Sequence, residues 1–152
     1  MTNILFVCTN NEFRSVLAED LFKEALCERG LSFPVSSGGS SDTKVYGCKP
    51  ISAVRALAKG SENYRATPVT KERLAAASHV IVMAEKQTEK LKENFPDFSF
   101  EKLYYLRAFD PAANGKLTIP GKTGSVTVEE CSEVRNNIAK CIPGLLNFIL
   151  AS

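Results

Sequence analysis

Ile4-Leu5-Phe6-Val7-Cys8-Thr9-Asn10-Asn11-Glu12-Phe13-Arg14-Ser15 is the stretch on which the reading of this chain turns. Its uninterrupted apolar start predicts a buried strand over 3–7, and the amphipathic spacing that follows predicts a helix over 16–29, stopped at Gly30. A strand that feeds a short polar loop into a helix aims several backbone N–H groups at one point, where the helix dipole adds its positive end. The product is a cradle for a tetrahedral oxyanion. Cys8 lies at the floor of that loop and Arg14 at its far end, where a guanidinium can fork onto two oxygens of a bound anion. A nucleophile and an anion receptor thus share one loop.

Outward from this stretch the pattern alternates. Further strands are expected over 33–36, 79–83 and 103–106, the run 36–41 reading as flexible. Helices are expected over 51–59 with a stop at Gly60, over 70–77 with Thr70 as cap, and over 85–94. A last helix is expected over 128–150, kinked or restarted by Pro143. Strands separated by helices imply an α/β fold: three αβα layers, a four-stranded parallel sheet between helices, and right-handed crossovers. Ligands of such sheets bind beyond the carboxyl ends of the strands, which is where Cys8 falls. At 152 residues, without an internal repeat, the chain reads as one domain over 1–152.

Composition narrows the partners. A net charge of +2 and a pI near 8.3 give no argument for nucleic acid or a membrane surface. Five cysteines, with no CxxC pair and no leader-like opening, suit a reducing cytoplasm. A single histidine, His79, excludes multi-histidine metal sites and reads as structural at the start of its strand.

Two further residues, Asp110-Pro111, lie in a long loop near the last third of the chain. With the Cys-x5-Arg-Ser loop opening the first helix, they make the chain resemble the low-molecular-weight protein tyrosine phosphatases over nearly its whole length. That resemblance implies a cysteine-dependent phosphomonoesterase acting on a phosphorylated protein or a small phosphoester, with no cofactor or metal, as a monomer or weak homodimer. It implies that Cys8 attacks phosphorus and carries a cysteinyl-phosphate. Arg14 and the loop of Thr9, Asn10, Asn11, Glu12 and Phe13 would hold the oxygens, Asn11 keeping the loop's shape. Ser15 would donate to the sulfur, and Asp110 would serve as general acid and then base.

The departures from that family also carry meaning. Asn10 stands where glycine is usual, and Glu12 where an apolar residue is usual. Glu12 would repel a phosphate dianion or welcome a cationic leaving group, which raises phosphoarginine as a substrate. Phe13 replaces the second cysteine that in many members protects the nucleophile by a reversible disulfide, and Ala112-Ala113-Asn114 replaces the aromatic residues beside the Asp-Pro pair. Tyr46, or its neighbours Lys44 and Val45, would occupy the variable rim. Two other readings remain at this stage. One is a noncatalytic phosphate-binding module. The other is a thiol-dependent arsenate reductase, whose two relay cysteines should follow the third strand, where 83–94 has none.

Overall fold

The computed structural model describes residues 1–121 and 124–152. Four strands, β1 (Ile4–Cys8), β2 (Val35–Gly39), β3 (His79–Val82) and β4 (Leu103–Tyr105), form one parallel sheet in the order β2-β1-β3-β4. The expected three-layer α/β architecture is borne out. β1 lies between β2 and β3, with Ile4 opposite both Val35 and His79, and every one of its residues is buried. Its alternate side chains serve opposite cores. Ile4, Phe6 and Cys8 join the core built with α1 (Arg14–Glu28), α5 (Val128–Ala139) and α6 (Ile142–Leu150). Leu5 and Val7 join the core of Leu74 on α3 (Lys71–Ala76) and Leu91 on α4 (Glu85–Asn94). A strand covered on both faces must be apolar at every position, which is why 4–7 shows no alternation.

Boundaries moved where the sequence carried two readings. β1 runs one residue further than expected: Cys8 pairs with Gly39, and its carbonyl accepts from Ser40 N at 2.9 Å. β2 starts later than expected and absorbs Gly38 and Gly39, two glycines that read as flexible. At Gly39 a Cβ would stand 2.5 Å from the Tyr46 hydroxyl and 2.9 Å from the Thr9 carbonyl oxygen, so the close approach of backbone demands glycine. The helix α2 (Ser52–Leu57) is shorter than expected and gives way to a 3-10 turn, Lys59–Ser61. Thr70 caps α3 as expected, its hydroxyl accepting from Arg73 N at 3.2 Å. The long last helix is two helices, broken at Lys140-Cys141. Pro143 sits in the first turn of α6, where a missing N–H costs least.

His79 opens β3 as a core group: its ring packs against Tyr104 and Phe148, and its Nδ1 lies 2.8 Å from the Ser78 hydroxyl. Burial pushes its imidazole below the ordinary value of 6.5, so the folded protein keeps it neutral. Because the unfolded chain binds the proton more readily, this contribution to stability is present above 6.5 and is lost as pH falls below it. Melting temperature is expected to drop between about pH 7.5 and about pH 5.5, and the drop to shrink in His79→Gln. An identical pH profile in that variant would remove the histidine as its source.

Candidate active site

The loop between β1 and α1 wraps Cys8, whose side chain is almost fully buried. Asn11 N donates to Cys8 Sγ at 3.3 Å, and the Ser15 hydroxyl, in the first turn of α1, lies 2.9 Å from the same sulfur. Ser15 Oγ already accepts from Asn11 Nδ2 at 2.8 Å, which leaves its own proton to point at the sulfur. Asn11 adopts the left-handed conformation, φ +57°, that asparagine tolerates better than most residues.

The buried amide of Asn11 is fully paired. Its Nδ2 donates also to Ser37 Oγ at 2.9 Å; its Oδ1 accepts from Thr67 N at 3.0 Å and from the Tyr64 hydroxyl. Ser37 in turn donates to Glu19 Oε1 at 2.6 Å, and Lys23 pairs with the other carboxylate oxygen. Arg73 clamps the far side through the Ser37 carbonyl at 2.7 Å and the Pro68 carbonyl at 2.8 Å. Gln87 Nε2 reaches Thr9 Oγ1 at 3.0 Å, so α4 braces the loop from across the sheet.

Arg14 closes the loop. Its Nη1 donates to the Ile119 carbonyl at 2.8 Å, and a Cβ on Gly121 would meet Arg14 Cδ at 2.9 Å. Burial holds the guanidinium somewhat below its ordinary value while the charge of Cys8 opposes that, so it remains a cation. The cleft over Cys8 measures 90 Å³ and is lined by loop residues Thr9, Asn10, Glu12, Phe13 and Arg14, with Ile51, Lys86, Gly124 and Val126 at its rim. A second cavity of 440 Å³ adjoins it, sharing Arg14 and Lys86 and lined further by Glu85 and by 118–121. A nucleophile below a ring of donors and a guanidinium is equipped to take a tetrahedral anion and form a covalent bond to its centre.

The sequence profile of the low molecular weight phosphotyrosine protein phosphatases matches residues 3–151. The chain belongs to that family. It is therefore a cysteine-dependent phosphatase, a phosphoric monoester hydrolase, and neither the binding-module nor the arsenate-reductase reading is favoured. A protein-arginine-phosphatase of Bacillus subtilis (strain 168) is 28% identical over 145 residues, covering 91% of this chain and 95% of that protein. Among solved structures, the YwlE arginine phosphatase of Geobacillus stearothermophilus superposes with a TM-score of 0.81 at 24% identity, covering 99% and 94% of the two chains. The low molecular weight protein tyrosine phosphatase of T. tengcongensis gives 0.82 at 23% identity, covering 97% and 99%. At those identities the structural likeness speaks for the fold.

Against this phosphatase framework, the residues expected at the site separate. Cys8, Asn11 and Ser15 are joined by the contacts above, and Thr9, Asn10, Glu12, Phe13 and Arg14 line the cleft with Cys8. Glu12 is not a free carboxylate at the rim: its Oε1 accepts from Lys44 Nζ and from Cys48 Sγ at 2.8 Å. Burial raises its affinity for a proton, but the Cys48 and Lys44 contacts outweigh that and hold it below the ordinary carboxylate value. Its carboxylate is thus paired at the rim of the cleft it lines. Tyr46 does sit beside the cradle. Its hydroxyl donates to the Ser41 carbonyl at 2.7 Å, and burial, then the charge of Cys8, pushes its phenol up to about 12.

Asp110 makes none of the contacts that join this group. It lines neither cavity, and its Oδ1 accepts from Ala112 N at 2.9 Å, capping its own turn. Its neighbour Phe109 packs on Phe148 of α6. Burial, then the charge of Asp110, pushes the Cys141 thiol up to about 12, which ties this carboxylate to the α5–α6 junction. An aspartate before proline here does what such pairs do most often, which is make a turn.

Ser37, Tyr64, Thr67, Glu19 and Gln87 were missed from sequence. Glu19, Ser37 and Gln87 are polar types at buried positions, a signal that appears only once burial is known, while half-buried Tyr64 and exposed Thr67 carry none.

Proposed function

We propose that this phosphatase hydrolyses a phosphorylated protein side chain or a small phosphoester through a cysteinyl-phosphate on Cys8. The observation that carries the reading is the paired set around the sulfur, with Ser15 Oγ at 2.9 Å and Asn11 N at 3.3 Å. In the first step Cys8 Sγ attacks phosphorus as the thiolate and the bond to the leaving group breaks. The loop amides and the Arg14 guanidinium hold the equatorial oxygens, where donors set in advance stabilise charge most. In the second step water attacks phosphorus and the thiolate departs toward the Ser15 hydroxyl. Asp110 has no part in this reading, given its place in the 110–113 turn. The setting is a reducing cytoplasm, in keeping with the free thiols of Cys8, Cys27, Cys48, Cys131 and Cys141, and the protein works as a monomer or weak homodimer.

Metal-free hydrolysis of p-nitrophenyl phosphate, quenched in acid during turnover, tests it. Intact-mass and peptide analysis should find one phosphoryl group, on Cys8. Turnover with the label on any other residue would refute the assignment.

A further inference from the structure

The two adjoining cavities differ from a conventional acid–base site in the charges that line them. Among the described residues the carboxylates on their walls are Glu12 and Glu85. Glu12 is held by Lys44 and Cys48. Glu85 lines only the outer cavity and does not reach the wall of the Cys8 cleft. The segment Thr118-Ile119-Pro120-Gly121, which lines the outer cavity and whose Ile119 carbonyl holds Arg14, has no acidic residue. Lys86 is the cation that lines both cavities beside Arg14. Its position is costly to the helix, because the first turn of α4 is where a helix dipole disfavours positive charge. A group departing from a phosphorus above Cys8 toward the outer cavity therefore passes an ammonium.

We infer that the leaving-group side of this site works by charge and not by proton transfer: Lys86 receives the departing oxygen as an anion. The preferred substrates are accordingly phosphates of acidic leaving groups, above all acyl phosphates. This rests on the phosphatase reading given above. In the first half-reaction the Cys8 S–P bond forms and the P–O bond to the leaving group breaks, its electron pair staying on the leaving oxygen as carboxylate or phenolate. No proton is transferred. In the second, a water O–P bond forms and the S–P bond breaks, the pair returning to Cys8 while the water's proton passes to the released phosphate. A carboxyl group, of pKa about 4, leaves far more readily this way than a tyrosine phenol at about 10. A cationic leaving group, such as the guanidinium of phosphoarginine, would meet the like charge of Lys86. With no unpaired carboxylate on the wall of the Cys8 cleft among the described residues to activate water, the cysteinyl-phosphate also accumulates in the steady state.

The full-length protein, metal-free, would be assayed on aryl phosphates from 4-nitrophenyl to phenyl phosphate, and on acetyl phosphate. Expected is a fall in kcat/KM approaching about tenfold for each unit rise in leaving-group pKa, because a fully charged leaving oxygen expresses its whole basicity. Asp110→Asn and Glu85→Gln should leave that slope unchanged. Lys86→Ala should lower kcat/KM by about tenfold or more and steepen the slope, and Lys86→Arg should restore both. A shallow slope that becomes steep in Asp110→Asn or Glu85→Gln would overturn the inference and name the acid. An unaltered Lys86→Ala enzyme would overturn it as well. Turnover that survives Cys8→Ser would instead remove the cysteinyl-phosphate reading on which it rests.

Discussion

Cys8→Ser is expected to lower turnover of p-nitrophenyl phosphate by about 10⁴-fold or more, with the fold and the affinity for inorganic phosphate retained. The size follows from what the substitution removes and what it leaves. A serine hydroxyl fits the space of the thiol but must lose a far more tightly held proton before it can attack, and no base stands within the contacts of Cys8: its neighbours Ser15 Oγ and Asn11 N are donors. The anion receptor keeps its support, because Arg14 is held by the Ile119 carbonyl and the Asn11 amide, which donates to the sulfur, can donate to a serine oxygen instead. Steady-state kinetics with phosphate as competitive inhibitor would read both quantities. A variant that keeps a hundredth of the activity would mean that another group attacks phosphorus.

Arg14→Lys comes second, with an expected loss of about 10³-fold in kcat/KM, chiefly in kcat. The charge survives this change and the geometry does not. One arm of the guanidinium, Nη1, is fixed by the Ile119 carbonyl at 2.8 Å, which sets the plane of the group and leaves the other nitrogens to face the cleft. An ammonium cannot hold that carbonyl and fork onto two phosphate oxygens together. The lost bond to Ile119 should cost about 1 kcal/mol of stability, small enough for melting temperature to separate it from the catalytic effect. Activity within tenfold of the unmodified protein would show that charge alone serves and that the fork is not used.

The parts of this molecule that could be read from sequence are those fixed by local pattern. The apolar run 4–7, the loop 8–15 and the β-branched run at 79–82 could hardly be read otherwise, and they place the sheet and the cradle. Boundaries failed where a tertiary contact decided the conformation. Gly38 and Gly39 look like a flexible link until Arg73 and Val69 are seen to crowd the first, and Tyr46 and the Thr9 carbonyl the second. The surroundings of Asp110 were out of reach for a related reason: an Asp-Pro pair marks a turn, and only the packing of Phe109 on Phe148 tells what that turn lies against. The pairing of Glu12 could not be read from sequence, since its partners Lys44 and Cys48 lie 32 and 36 residues away.

The pairing of Asn11 has a consequence for how the protein comes to be active. Its amide is completed by Ser37, Tyr64 and Thr67, respectively 26, 53 and 56 residues further along the chain. A nascent chain that has delivered β1 and α1 therefore has the cysteine and the arginine but not the shape that makes them useful. That shape arrives with the docking of 61–67 beside β2, a closure between distant segments of the kind that slows folding. Catalytic competence is thus a late event of folding, and the activity regained in a refolding experiment times the arrival of Tyr64 and Thr67 rather than the formation of the first helix.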